Sequence, residues 1–342
     1  MAGCFSLEAG LFLALCGRSF NVLRMKAIPL LRWLGALTAP RLAIAALAAT
    51  LGFAISKDPP PDAGDKITAA LPEKPFSEPA KPRRLLVFAV TNGFRHASIP
   101  TGQMMLRLMG EKTGAFEAVV SDDLANFEPD ALAKFDAVCF LNTTGNVFLP
   151  HKKEFDNMDE AARAAAVERE QRLKQGLMKW IRAGGGFVGI HSATDTCYEW
   201  AEYGDMMNGY FDGHPWGAGS AVSIKVEPGQ EAHPLASMFE GQNIDITEEI
   251  YQLKAPYDAA KVRMLMRLDT ERSPMDVKGI KRTDGDFGVS WARMWGDGRV
   301  FYTSLGHNHE IYWHPKIVRH YLAGVQWALG DLKADASPAA AR

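Results

Sequence analysis

Cysteine is scarce: the 342-residue chain has four, and Cys4 and Cys16 lie ahead of the region that reads as folded. That leaves Cys139 and Cys197, too few for the disulfide framework of a small secreted scaffold. Cys139 sits in the apolar run DAVCFLNT and reads as a small buried hydrophobe, though spacing alone leaves a bond to Cys197 open. An excess of charge of either sign is also missing. With a net charge of −2 no broad field exists to hold nucleic acid or an anionic membrane, so a small or neutral partner is expected. Hydrophobic residues at 47% and charged residues at 23% exclude a disordered or fibrous chain. No internal repeat is visible.

Long apolar runs are lacking too. The run over 42–55 falls short of the ~20 residues that a membrane-crossing helix needs. It follows Lys26, Arg32 and Arg41, the order of a secretory signal, with Gly52 and Ala54 as small residues for a cleavage site. Met25 would itself begin a signal of ordinary length. Residues 1–56 are therefore read as a signal peptide or, alternatively, a retained N-terminal anchor, and the protein as exported to the periplasm. A membrane is a partner only if that segment is retained. Residues 57–82 are rich in Pro and polar residues and read as a linker.

From 83 to 331 strand-like and helix-like segments alternate, which predicts one α/β domain; residues 332–342 are left as a disordered tail. Short apolar runs at 83–90, 116–123, 136–143 and 186–193 have the buried-strand character of a parallel sheet. Helical spacing appears around 99–112, in Leu173, Leu177, Trp180 and Ile181, and again over 315–329. Gly184, Gly185 and Gly186 end the second of these helices. Strand candidates at 221–228, 262–269, 287–295 and 299–306 follow, with Asp297-Gly298 as a hairpin turn between the last two. The expected fold is a flavodoxin-like, mostly parallel sheet with helices on both faces and an antiparallel extension.

Ligands of open α/β sheets bind beyond the carboxyl ends of the strands. His96, His191 and His307 each end or follow a predicted strand, with glycine close by in sequence, and are expected to share one pocket. The turn Gly189-Ile190-His191-Ser192-Ala193 has the form of a nucleophile elbow with His at its centre. Asp195 either orients an imidazole, binds a sugar hydroxyl, or caps a helix. Ser192 and Thr194 satisfy backbone groups or face a ligand. In DGHPWG, His214 and Trp216 suit a carbohydrate pocket, Trp216 as its apolar wall. Of Glu248 and Glu249, on opposite faces of a strand-like segment, one can face the pocket and the other is solvated. His307 and His309 are spaced to share a divalent metal such as zinc, with His96 or Glu249 as third ligand, or the histidines act as metal-free acids and bases. His151 and His320 read as surface residues, His233 and His314 as turn or helix-start residues.

The stretches GFRHASIP, GGGFVGIHSATDT, DGHPWG, EEIYQL and GRVFYTSLGH occur in the order found in the ThuA-like (trehalose utilisation) family, which the chain resembles over nearly all of 83–331. The resemblance implies a fold similar to class I glutamine amidotransferases. It also implies a link to trehalose and related disaccharides, through 3-keto-sugar intermediates. The amidotransferase cysteine is replaced at the elbow by His191, so glutaminase chemistry is not expected. The Ala-rich segment 151–171 looks like an insertion in the family pattern. The expected activity is that of an enzyme on a glycoside or keto-sugar, by hydrolysis, elimination or isomerisation. His191, Asp195 and Glu249 are its candidate catalytic residues, and His96, Ser192, His214 and Trp216 would bind substrate. The alternative is a non-catalytic carbohydrate-binding protein using the same cleft.

Overall fold

The computed structural model describes residues 58–338. The expected leader lies outside the described residues. No helix among the described residues is long and apolar enough to cross a membrane.

The chain runs α1 (Ala63–Ala70), β1 (Arg84–Phe88), α2 (Ile99–Thr113), β2 (Glu117–Val120), α3 (Pro129–Leu132), β3 (Ala137–Leu141), α4 (Lys152–Asn157) and α5 (Glu160–Arg182). It continues through β4 (Gly186–Ile190), α6 (Ala201–Met207), β5 (Tyr210–Phe211), β6 (Ala221–Val226), β7 (Ile244–Thr247) and β8 (Leu253–Lys254). The last elements are β9 (Arg263–Leu268), β10 (Gly288–Trp295), β11 (Gly298–Thr303) and α7 (Pro315–Ala328). Nine strands form one sheet in the order β2-β1-β3-β4-β11-β10-β9-β6-β7, and β5 pairs with β8 apart from it. The first five are parallel, in the 2-1-3-4-5 order of flavodoxin-like sheets. The rest are antiparallel.

The parallel strands are buried because helices cover both faces. Along β1, Leu85 and Val87 face the core shared with α2 and α7, while Leu86 and Phe88 face the core shared with α5. Helix α5 starts where the Asp159 carboxylate accepts the Ala162 N–H and stops before Gly184, whose φ of 114° suits glycine. The β10–β11 hairpin closes where expected, but its left-handed residue is Gly296 rather than Gly298. EEIYQL is not a continuous strand: Ile250 makes one bridge to Trp216, and β8 takes up only Leu253 and Lys254. Cys139 and Cys197 are both free and buried.

The expected linker is in part core. Ala63 and Ile67 of α1 are fully buried against the α2 side of the sheet. Lys112 donates to the Thr68 and Leu71 carbonyls, and Gln326 of α7 bonds the Phe76 N–H and the Ser77 carbonyl. An eight-residue helix flanked by prolines shows too few turns for periodicity to be read. The expected disordered tail is likewise docked as far as Ala336. Ala336 is buried, Ala334 accepts from the Trp327 indole, and Asp335 pairs with Arg263. His320, expected at the surface, lies in the core face of α7, where Nδ1 meets the Leu235 carbonyl at 2.6 Å.

Because Ile67 is core, Ile67→Ala should destabilise the protein by about 2–4 kcal/mol. A linker residue in the same place would cost within about 0.5 kcal/mol. Denaturant unfolding of the variant separates the two.

Candidate functional site

Three rim loops meet beyond the carboxyl ends of β1, β4 and β11. His96 lies between β1 and α2. His191 follows β4 directly in a left-handed conformation (φ 52°), so the elbow form read from sequence is present with an imidazole at its tip. The third loop passes beneath it through Gly306, φ 145°. A Cβ there would stand 2.8 Å from the Tyr312 hydroxyl and 3.1 Å from the His191 Cβ, so only glycine allows this approach. The rings of His96 and His191 are 4.7 Å apart, those of His96 and His307 5.2 Å, and those of His191 and His307 5.5 Å, all nearly perpendicular.

Glu249 reaches this cluster from the segment between β7 and β8. Its carboxylate stands 3.7 Å from His191 Nε2, 3.5 Å from His214 Nδ1 and 3.6 Å from His307 Nε2. These separations lie at or beyond the reach of a hydrogen bond. Burial, with the nearby charge of Asp195, pushes the Glu249 carboxyl up to about 7. Burial and mutual repulsion act on the imidazoles in the opposite sense. His96 is pushed down to about 3, His191 lies well below its usual value and His307 is lowered, each shift favouring the neutral ring.

His191 is the hub beneath the cleft and is fully buried. Since the Ser304 carbonyl can only accept, Nδ1 donates to it at 2.7 Å and Nε2 keeps its lone pair. The Tyr251 hydroxyl donates to that nitrogen at 3.0 Å, and His96 Nε2 faces it at 3.2 Å. Ser192 Oγ stands 3.4 Å from His96 Nδ1, so its expected ligand contact becomes support for an imidazole. Thr194 bonds the Tyr302 hydroxyl. Asp195 does not cap α6, which starts six residues later. Its carboxylate accepts the Tyr198 hydroxyl, and burial raises it against that bond.

Above these groups lies a cavity of about 350 Å³. His96, Asp195, His214, Glu249 and His307 supply its polar wall, and Phe94, Phe211 and Tyr251 its aromatic one. A depression of about 390 Å³ over β6 and β7 has no such convergence: its charged groups, Asp245 and Arg272, neutralise each other at 2.9 Å.

Three expected positions differ. Trp216 forms no wall of the cleft; it is fully buried, donates to the Pro274 carbonyl and packs edge-on against Phe287. An indole whose N–H finds a carbonyl in the core gains more there than at a wet rim. Glu248 is not solvated. Its buried carboxylate accepts the backbone N–H groups of Gly306, His307 and Asn308, which oppose a burial effect that lifts the group to about 8. His309 stands apart from His307, its Nδ1 2.7 Å from Thr101 Oγ1 of α2. Among the described residues the group able to share an ion is instead His96, Glu249 and His307, with one ligand atom from each within 4.8 Å of the others. The 3.6 Å between Glu249 and His307 Nε2 fits two ligands of one ion better than a hydrogen bond, since ~2.1 Å bonds in a tetrahedron put ligands ~3.4 Å apart.

Phe94, Phe211, Tyr251 and Glu248 were missing from the expected site. Tyr251 was within reach, because strand spacing puts it on the face of Glu249. Phe94 lies two residues from His96. Phe211 carries no local signal.

The fold and the cleft together define a flavodoxin-like protein with a histidine–carboxylate site at the sheet's rim. The sequence model of the ThuA family, described as trehalose utilisation, matches residues 84–328, and the chain belongs to that family. The family's role is carbohydrate-related. Among solved structures the chain is similar to a ThuA-like protein from Bacteroides uniformis ATCC 8492, at 17% identity and a TM-score of 0.53, over 73% of this chain and 92% of that one. A ThuA-like protein from Parabacteroides merdae ATCC 43184 is 15% identical with a TM-score of 0.47, over 75% and 93%. Among curated protein sequences no relative matches.

Proposed function

We propose that the protein is an enzyme acting on a keto-sugar related to trehalose, by elimination or isomerisation next to the ketone. The observation that carries this reading is the cleft itself: two carboxyl groups raised by burial, aromatic walls, and no Lys or Arg in the lining. Without a fixed cation the cleft favours a neutral ligand, and aromatic faces with hydrogen-bonding groups suit a sugar.

A ketone acidifies the C–H beside it. Asp195 is the base: its carboxylate takes that proton and the electron pair moves onto the ketone oxygen as an enolate. His96, Glu249 and His307 are the residues that would hold a divalent ion such as zinc, which would supply Lewis-acid charge for that oxygen. In the elimination, the enolate electrons expel the glycosidic oxygen one carbon further on, and His214 at the mouth returns a proton to it. His191 acts from below, positioning His96 and Tyr251. The buried cysteines take no part, since burial pushes Cys197 up to about 11 and Cys139 higher still. With His191 at the elbow, glutaminase chemistry has no thiol to use.

The test is incubation with 3-ketotrehalose and with trehalose in D2O. Wild type should consume the ketone and place deuterium beside it, leaving trehalose untouched. Asp195→Asn should slow this by about 10²–10⁴-fold. Recovery of 3-ketotrehalose bound but unchanged would favour the sugar-binding reading instead.

Export to the periplasm is proposed from the leader pattern. N-terminal sequencing of protein from its native host should find a start near residue 55; an intact leader on cytosolic protein would refute export.

A further inference from the structure

Phe94 is 61% exposed, more than any other large hydrophobic side chain among the described residues. Yet its loop is not loose. Thr144 Oγ1 donates to the Phe94 carbonyl at 2.8 Å and accepts the Gly93 N–H at 3.2 Å. The Asn92 N–H donates to the Thr144 carbonyl, and the Asn92 side chain to the Leu149 carbonyl, both at 2.8 Å. An aromatic ring is thus held in water by a loop stitched to the end of β3, edge-on to His96 at 4.8 Å and forming part of the cleft wall. Exposing an apolar face costs free energy that a stacked ligand recovers.

Depth separates this ring from the chemistry. His96 is 4% and Glu249 6% exposed, so a sugar ring reacting among them sits inside the cavity. Phe94 stands at the mouth and meets whatever continues outward. The 350 Å³ volume is at the small end for a ligand pocket (~300–1,000 Å³), which suits one enclosed ring with its neighbour at the rim.

We propose that Phe94 is the stacking platform for a second sugar ring, which makes this loop the element that selects disaccharides over single-ring glycosides. The inference rests on the sugar reading of the cleft and adds the residue that sets substrate length. Sugar C–H groups pack on the ring face, and the pinned backbone leaves little ordering to be done on binding.

The experiment compares 3-ketotrehalose with methyl 3-keto-α-glucoside, which lacks the second ring, on wild type, Phe94→Ala and Phe94→Trp. Phe94→Ala should raise KM for the disaccharide about ten-fold, the effect of losing one stacking contact. It should raise KM for the methyl glycoside several-fold less than for the disaccharide, and Phe94→Trp should restore the disaccharide value. Equal losses on both substrates, or none on either, would overturn the platform. If wild type turns over neither, the catalytic reading fails by itself, and the platform is read from calorimetric binding of trehalose against methyl α-glucoside. Selective loss of trehalose affinity in Phe94→Ala supports it; equal affinities, or no binding by wild type, overturn it.

Discussion

The site depends on one buried carboxylate that never faces it. Glu248 takes the N–H groups of Gly306, His307 and Asn308, three successive donors at the end of β11, onto a side chain from the segment after β7. It thereby fastens the antiparallel extension to the parallel core at the rim. Asn308 completes the clasp by donating to the Ala218 and Thr247 carbonyls. Leaving three such donors unpaired in the interior would cost a substantial part of a domain's stability. With Glu248 directed at the loop, its neighbour Glu249 on the opposite face is directed at the cleft. The clasp and the cleft carboxylate are one local decision of the chain.

Around Glu249 the electrostatics are unusual. A carboxylate with little solvent is ordinarily answered by Lys, Arg or a set of backbone N–H groups. Here the nearest groups are the imidazoles of His191, His214 and His307, at 3.5–3.7 Å. The rings of His96 and His191 bring their Nε2 atoms within 3.2 Å, though Nε2 of His191 already receives the Tyr251 hydroxyl. One lone pair cannot accept both, so His96 Nε2 has no acceptor in His191. A divalent ion held by His96, Glu249 and His307 would take up both groups.

What was legible in the sequence follows from how strongly each feature is expressed locally. The buried strands β1, β3 and β4 read as unbroken apolar runs because both faces are covered, and α5 spans enough turns to show its period. From those strand ends the meeting of His96, His191 and His307 could be argued, since topology carries them to one rim. Features decided by tertiary contact were not legible. Helix α1 is too short, Trp216 and His320 find buried carbonyl partners from distant segments, and His309 is claimed by Thr101 of α2. Glu248 read as solvated because three backbone donors leave no mark in a sequence.

The metal content of the purified chain bears most directly on this account. After loading with zinc and gel filtration, elemental analysis should find about one ion per chain in wild type and in His309→Ala, and little in Glu249→Gln or His307→Ala. Zinc retained by Glu249→Gln and lost from His309→Ala would contradict the arrangement of the site around Glu249.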